Sequence, residues 1–432
     1  MKPPSPTPST APPFAVVAMW ALIYTVPLLV IPGLHESFRT PKLLIGELLA
    51  LGSLIGLAFR LYGREIDFRA VAKRPEVAAL VPLLLLAAAS LGSTAHILHV
   101  REAVASLGVG AACLIGWTAG FDRAQKERFL IGSLVPAALS ALLAIVQFHQ
   151  LWEPLRFAGI GYDSRLGVTA LAGNPGDLGA YLVLPCLIGL WCLPRLAGRQ
   201  RILAGVAFAL CLYALIVTQT LAALAALAVG ALVYAFGALP RRQLFAGLAA
   251  VVILGALALL AVAPLQKRVA VKVQSIITGD WNDLLTGRLD GWRAALLMWH
   301  ENPWTGVGHG AYRPEFVPAK LELAYAGTRF YAGHTQPVFA NAHNEFLEVA
   351  ADLGWPGVIA LAWGIGVIGF AAFRRAGTED GEFREPRDRA LFLAGLAALG
   401  VLSVAYFPFR IALVAFPALL FLAWGLDRTE IP

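Results

Sequence analysis

Charge is scarce in this sequence. Only 14% of its 432 residues are charged, whereas 58% are hydrophobic and the mean hydropathy is +0.70. An ordinary soluble protein has about 25% charged residues, and a soluble chain of this length would need such charge to cover two or three domains. The composition therefore excludes a soluble enzyme, a disordered chain and a disulfide scaffold. It predicts an all-α polytopic membrane protein.

Cysteine is also rare, and several motifs of soluble chemistry are missing. All four cysteines lie inside apolar runs without the spacing of zinc ligands, so we interpret them as small core residues: Cys113, Cys186, Cys192 and Cys211. The sequence contains no GxxxxGK, HExxH, GxSxG or CxxC pattern. Soluble-type nucleotide chemistry is therefore not expected. No cleavable signal peptide is expected either, because the polar start has no basic residue beyond Lys2.

Long apolar runs dominate the rest of the chain. A membrane-spanning helix needs about 20 mostly apolar residues. Runs of this kind predict twelve spans: 14–32, 41–60, 76–94, 102–121, 128–148, 176–194, 201–217, 219–237, 244–264, 346–373, 390–407 and 411–426. The apolar stretch 201–237 is too long for one crossing, so we expect a tight turn at residues 218–220.

Positive charge predicts the orientation of these spans. With the N-terminus inside, the cytoplasmic loops and tails hold 20 of the 34 Lys and Arg residues, and the short outer loops hold six. The other eight lie in the long segment 265–345. Since the positive-inside rule counts short loops and discounts long ones, both termini are predicted to be cytoplasmic. The net charge of +7 is thereby largely explained, and no nucleic-acid partner is expected.

The predicted organisation has five parts: a cytoplasmic tail (1–13), nine spans (14–264), an extracytoplasmic loop (265–345), three spans (346–426) and a second tail (427–432). The loop is rich in aromatic residues and has four histidines, so we expect a partly helical cap on the outer membrane surface rather than disorder. Large apolar residues recur at helical spacing within 288–300, which predicts an amphipathic helix there: Leu289, Trp292, Leu296 and Trp299.

Three polar stretches on the predicted outer face could carry chemistry. The first runs from Arg165 to Asp177 and leads into the sixth span, where Asn174-Pro175 can begin a helix. The alternative is that Arg165 is an interfacial arginine beside a helix cap.

The second stretch contains the helix predicted to begin near Arg288 and to end at Asn302-Pro303. Three glycines follow: Gly306, Gly308 and Gly310. They would let the backbone approach a ligand closely, although a plain surface turn would also contain such glycines.

The third stretch begins where the long loop re-enters the membrane, at His343, Asn344 and Glu345. Glu348 and Asp352 follow within an apolar span, where charged groups are costly and tend to face the bundle interior. A lone histidine is more often structural. A histidine at the mouth of a bundle, beside Asn and acidic groups, is a stronger functional candidate.

Together, these stretches resemble the O-antigen ligase and O-antigen polymerase (Wzy-like) superfamily of bacterial inner-membrane glycosyltransferases, whose fold is GT-C-like. The shared pattern is an Arg and Asn-Pro before a mid-chain span, an Arg–x3–Trp helix ending in Asn-Pro and Gly-x-Gly, and His-Asn-Glu before Gly-x-x-Gly. The corresponding residues are Arg165, Asn174, Pro175, Arg288, Trp292, Asn302, Pro303, Gly306, Gly308, His343, Asn344, Glu345, Gly354 and Gly357. One departure is Leu221, where many relatives have an arginine; Arg268 could replace that cation.

The resemblance implies transfer of a glycan from an undecaprenyl-pyrophosphate carrier to an acceptor sugar outside the cytoplasm. Arginine stays charged and binds phosphate bidentately, so Arg165, Arg288 and Arg268 are assigned to the donor pyrophosphate, with Arg288 also catalytic. An imidazole can orient or deprotonate the acceptor hydroxyl, and His343 is assigned that role. The residues expected to support the site are Asn174, Gly306, Gly308, Asn344 and Glu345.

The expected reaction is direct displacement at the anomeric carbon, with inversion. No metal or other cofactor is expected, since no carboxylate cluster stands out in the outer loops. Within the superfamily, a ligase acting on the lipid A core is preferred over a polymerase, which would join repeat units. An O-oligosaccharyltransferase often has an extra C-terminal domain, whereas this chain ends six residues after its last predicted span.

The remaining alternative is a transporter of lipid-linked glycans without catalysis. Transporters tend to place ionisable residues on broken helices at the bilayer midplane, whereas here they cluster at the outer face.

Overall fold

The computed structural model describes residues 12–34, 36–61, 68–152, 167–331, 339–374 and 386–426. Secondary structure in this part of the chain is helical, without a strand. Its α-helices are α1 Pro13–Leu28, α2 Arg39–Leu61, α3 Phe68–Ala72, α4 Pro75–Ala89, α5 Ile97–Gly120, α6 Arg123–Gly132, α7 Leu134–Phe148, α8 Pro175–Cys192, α9 Gly198–Val217, α10 Leu221–Ala238, α11 Arg241–Ala261, α12 Ala263–Thr278, α13 Trp281–Leu284, α14 Arg288–Glu301, α15 Tyr312–Tyr325, α16 Glu345–Arg374, α17 Pro386–Ala405 and α18 Ala412–Gly425.

A helix or helix pair lies at each of the twelve predicted spans. Within the described residues, nine stretches are long and apolar enough to cross a membrane by length and composition. Helices α1 and α18 are also apolar but shorter, at 16 and 14 residues. The chain is therefore an all-α polytopic membrane protein, as its composition predicts.

The tight turn predicted at residues 218–220 is present between α9 and α10. Thr218 caps the end of α9 by donating its hydroxyl to the Leu215 carbonyl at 2.8 Å. The hydroxyl of Thr220 donates to the Pro175 carbonyl at 3.0 Å. The turn is thus attached to the first residue of α8.

Helix α8 lies in the core of the bundle. All of its 18 residues except Leu190 are buried, and it packs against α9, α10 and α17. A helix that is apolar on every face is stable only when it is surrounded by other helices or lipid. Its two ends carry different polar groups: Asp177 lies at the N-terminal end and Trp191 at the other.

A buried ionic cluster surrounds the C-terminal end of α8. Asp388 is fully buried and accepts hydrogen bonds from the indole of Trp191 at 2.9 Å, from Arg195 at 2.6 Å and from Arg123 at 3.1 Å. Two arginines and an indole compensate the desolvation of this carboxylate. The arginines belong to loops predicted to be cytoplasmic, so the basic end of the bundle is opposite Asp177.

Helix α14 confirms the helix predicted over 288–300. Its buried residues are Asp290, Gly291, Ala294, Ala295 and Met298, whereas Leu296 of the apolar stripe is 46% exposed. A Cβ on Gly291 would lie only 3.2 Å from the Ala342 carbonyl oxygen. The small residues therefore let α14 pack closely against the segment before α16. Trp299 of the stripe packs against Trp355 of α16, with ring centroids 4.7 Å apart.

Candidate active site

Asn174 begins α8 as its sequence context predicts. Its side chain accepts a hydrogen bond of 2.6 Å from the Gly176 amide, and Pro175 occupies the first helical position. Asp177 lies in the first turn of α8, and its side chain is 1% exposed. A carboxylate buried this deeply requires hydrogen-bonding or ionic partners.

Asp177 obtains these partners from two distant parts of the chain. Arg39, the first residue of α2, donates to both carboxylate oxygens at 2.8 and 3.0 Å. The hydroxyl of Tyr406, immediately after α17, donates to the same carboxylate. This bidentate ion pair and hydrogen bond join the ends of α2, α8 and α17 at one point.

His343 lies beside this point, in the turn before α16. Its ring centroid is 4.8 Å from that of Phe407, 5.4 Å from Phe339 and 6.0 Å from Tyr406. The side chain is half-buried, and its backbone φ is 56°. Left-handed backbone is uncommon outside glycine and costs free energy that the surrounding structure must offset.

Backbone of this kind is concentrated at one end of the bundle. Five non-glycine residues in the described ranges have positive φ: Gln150, Ala170, Gln219, Thr286 and His343. All five lie in turns that the predicted topology places outside. Each such residue costs about 1–3 kcal/mol and such residues cluster at functional sites, so the strain points to this end independently of the motifs.

Arg288 is the first residue of α14 and follows two left-handed residues, Thr286 and Gly287. Burial lowers the pKa of Arg288, and Tyr406 acts in the opposite direction, which places Tyr406 within electrostatic range. Among the described residues, the Nε atom of Arg288 is buried without a hydrogen-bond partner. Nη1 donates a long bond of 3.3 Å to the Leu285 carbonyl.

Helix α12 places two further cations near Arg288. Burial lowers the pKa of Arg268, and the charge of Arg288 lowers it further. Burial also lowers the pKa of Lys272, and the charges of Arg268 and Arg288 lower it further. The carboxylate of Asp283, 3.9 Å from the Lys272 amine, raises this pKa. Within the described part of the chain, neither arginine has a carboxylate at ion-pair distance, and the Nε atom of Arg268 is also buried without a hydrogen-bond partner.

These cations form a site suited to an anion. Three positive groups that repel one another in a partly desolvated place are stabilised when a phosphate enters. Arg288 also lies at the N-terminus of α14, where backbone N–H groups and the helix dipole favour negative charge.

A second buried network fixes the turn that carries His343. Glu348, in the first turns of α16, accepts a hydrogen bond of 2.8 Å from the Ala342 amide and one of 2.9 Å from the Asn341 side chain. Arg410 lies 3.1 Å from the same carboxylate. The two residues before His343 are thus bound to one side chain of α16. The position of His343 therefore follows from the position of α16.

Asp352 and Glu345 complete that network. Asp352 accepts from the Gly310 amide at 2.8 Å and from Arg410 at 3.1 Å. His309 lies 3.4 Å from the same carboxylate. Glu345 accepts from the Phe409 amide at 3.0 Å. The three acidic residues thus connect α16 to the 303–310 turn and to the 408–410 turn.

Residues 206–362, from α9 to α16, match the family model described as O-antigen ligase. The matched segment includes Arg268, Arg288 and His343. This part of the chain is therefore similar to the O-antigen ligase family. The match supports assigning the protein to the O-antigen ligase and Wzy-like superfamily. A search of curated proteins found no match.

The structure brings together three residues that the resemblance assigned to the O-antigen ligase site. Arg268 lies in electrostatic range of Arg288, and Arg288 lies in electrostatic range of Tyr406. The ring centroid of Tyr406 lies 6.0 Å from that of His343. Arg165, also assigned to the donor, lies outside the described residues. Asn344 caps α16 by accepting from the Phe346 and Leu347 amides at 3.0 and 3.1 Å.

At Gly306 and Gly308 the structure shows a reason for glycine other than the predicted approach of the backbone to a ligand. A Cβ on Gly306 would lie 2.2 Å from the Asp352 carbonyl, and one on Gly308 would lie 2.8 Å from Thr94. The Gly308 amide donates to the Asp352 carbonyl at 2.9 Å. In this turn, the close approach is to the protein's own atoms, because the turn packs on the break of α16 at Gly354, where φ is 62°.

Several residues of the site had no assigned role in the sequence analysis, among them Arg39, Lys272, Tyr406 and Arg410. Charged residues beside apolar spans are a usable signal, because they are costly unless they are paired. The i, i+4 spacing of Arg268 and Lys272 is a second signal, since it places both on one helix face. Tyr406 gave no signal, because tyrosines are common at the ends of membrane spans.

Proposed function

We propose that the protein is a membrane glycosyltransferase that moves a glycan from an undecaprenyl-pyrophosphate carrier to an acceptor sugar, as an O-antigen ligase does with the lipid A core. The observation that carries this proposal is the pair Arg268 and Arg288. Both guanidinium groups are partly desolvated, repel each other and lack a carboxylate among the described residues, near the turn that carries His343.

The donor pyrophosphate is proposed to lie between α12 and the N-terminus of α14. Its two phosphates would pair with Arg268, Lys272 and Arg288, and Arg165 is proposed as a fourth contact. When the glycosidic bond breaks, its electron pair moves to a pyrophosphate oxygen, where negative charge grows. Fixed cations at that oxygen lower the barrier because they need not reorganise.

The acceptor hydroxyl is proposed to lie at His343. The imidazole accepts the hydroxyl proton while the oxygen attacks the anomeric carbon from the face opposite the pyrophosphate. One C–O bond forms as the other breaks, so the configuration at the anomeric carbon inverts. The guanidinium groups supply the positive charge that a divalent metal ion supplies in other phosphate chemistry, so the proposed reaction is metal-independent.

The site is proposed to face the outside of the bacterial inner membrane, with both termini in the cytoplasm. The supporting observation is the position of the basic cluster around Asp388, at the opposite end of α8 from Asp177. Positive loops are retained in the cytoplasm, so His343 and Arg288 would lie at the extracytoplasmic end. A membrane-embedded donor and an outer-leaflet acceptor could both reach this end.

The test uses purified protein in proteoliposomes with a labelled lipid-pyrophosphate-linked glycan and lipid A core. We expect the label to move to the lipid A core in a single transfer, with release of undecaprenyl pyrophosphate and an inverted anomeric centre by NMR. Chain growth on the carrier without use of the core would make the protein a polymerase. Movement of intact donor across the bilayer, with no new glycosidic bond, would make it a transporter.

A further inference from the structure

Tyr406 connects the two halves of the proposed site. Its ring lies 6.0 Å from that of His343, and Arg288 lies within its electrostatic range. We propose that Tyr406, held by Asp177 and Arg39, is a positioning residue for His343. This inference rests on the proposed role of His343 at the acceptor hydroxyl, and it adds a residue outside the family-matched segment.

Aromatic rings surround the imidazole of His343. Tyr406 stacks on Phe407, with ring centroids 4.6 Å apart and planes 17° from parallel. Phe407 in turn presents its ring at 71° to that of His343, at 4.8 Å. The imidazole of His343 therefore packs against this stacked pair of rings.

The Tyr406 side chain is held in one orientation by its hydroxyl. It donates to Asp177, which Arg39 binds with two further hydrogen bonds of 2.8 and 3.0 Å. The Arg39 guanidinium also lies 5.7 Å from the ring centroid of Phe407. Tyr406 and Asp177 are both buried, so loss of the phenol oxygen would leave a carboxylate lone pair without its donor.

His343 requires such support because no helix sets its orientation. It lies in a short turn with left-handed backbone, two residues before α16. A base acts only within hydrogen-bond reach of the proton that it accepts, and a shift of about 1 Å can cost about 100-fold in rate. The carboxylate network fixes the backbone of this turn, whereas Tyr406 and Phe407 contact the ring itself.

The first experiment compares Tyr406→Phe with Tyr181→Phe, a matched change at a buried tyrosine in the middle of α8. Tyr406→Phe should lower the kcat of transfer by about 10- to 100-fold without changing donor-lipid affinity, and its melting temperature should fall because the buried Asp177 carboxylate loses a donor. Tyr181→Phe should leave all three unchanged. Parent-like kcat in Tyr406→Phe, or a loss of donor binding that accounts for the lower rate, would overturn the positioning role.

The second experiment repeats Tyr406→Phe in a His343→Gln background. If Tyr406 acts through His343, its loss has no further effect once the imidazole is gone, so the two changes are not additive. Equal fold-losses in both backgrounds would mean that Tyr406 acts independently, and the inference would fail. Parent-like activity of His343→Gln alone would instead refute the proposed function, which keeps the two failures distinguishable.

Discussion

Arg410 donates a hydrogen bond of 3.1 Å to the carboxylate of Asp352, a residue 58 positions earlier in the chain. The same guanidinium lies 3.1 Å from Glu348, whose other oxygen accepts from the Ala342 amide. The turn that carries His343 is therefore attached to an ion pair in the first turns of α16. Removing one partner of a buried ion pair costs about 3–5 kcal/mol, so this turn is held much more firmly than an exposed loop.

Arg288→Lys should lose most transfer activity although the positive charge is kept. A lysine cannot reproduce the bidentate, planar contact of a guanidinium with phosphate, so donor affinity should fall together with the rate. Donor-lipid binding and glycan transfer are measured on the same preparation. Arg293→Lys, on the same helix, serves as the control and should leave both values unchanged. A fully active Arg288→Lys variant would remove Arg288 from the donor site.

His343→Asn should abolish transfer while donor lipid still binds. Loss of general-base catalysis costs about 100- to 10,000-fold in rate. Asparagine is chosen because it tolerates the left-handed backbone that alanine disfavours, so folding is preserved. His300→Ala, at an exposed histidine of α14, is the matched control. Near-normal transfer by His343→Asn would return His343 to a structural role.

Gly306→Ala should destabilise the protein much more than Gly327→Ala. Both glycines have positive φ, but only a Cβ at 306 meets backbone, 2.2 Å from the Asp352 carbonyl, whereas nothing lies within 4 Å at 327. Overpacking costs about 1–3 kcal/mol in addition to the backbone strain that both variants share. Melting temperatures in detergent test this difference. Equal values for the two variants would contradict the docking of the turn on α16.

Donor affinity should decrease at alkaline pH because of Lys272. Burial and the neighbouring arginines lower the pKa of Lys272, so the amine becomes neutral at a lower pH than an ordinary lysine does. Its contribution to anion binding is full below that pKa and is lost as the pH rises through it. Donor dissociation constants measured from about pH 7 to about pH 10 should show this loss of affinity in the parent protein. Lys272→Arg should remove the pH dependence, whereas Lys267→Arg, on the same helix, should not.

Transfer should proceed in the presence of EDTA. In the proposed mechanism, guanidinium groups neutralise the leaving pyrophosphate, so no divalent cation enters the reaction. The rate of the purified protein is compared before and after chelation. A rate that falls in EDTA and recovers with magnesium or manganese would refute the metal-independent mechanism.

Local sequence patterns are sufficient to predict the helices and much of the local chemistry. In a bilayer each helix must satisfy its own backbone hydrogen bonds, so apolar runs of sufficient length predict helices at 176–194, 201–217 and 219–237. The turn at 218–220 and the helix start at Asn174-Pro175 also follow from neighbouring residues. The polar residues at the ends of these helices indicate at which end of the bundle the candidate site lies.

Long-range packing sets which of these residues contact one another. Asp177 pairs with Arg39 and Tyr406 across 138 and 229 positions, and no local pattern in the sequence encodes such pairings. Packing also decides which residues of α14 are buried, because small residues permit a closer approach to the segment before α16 than large apolar ones do. Gly306 likewise lets two parts of the backbone come into contact. Its role follows from the space available in the fold, which the residue type alone does not reveal.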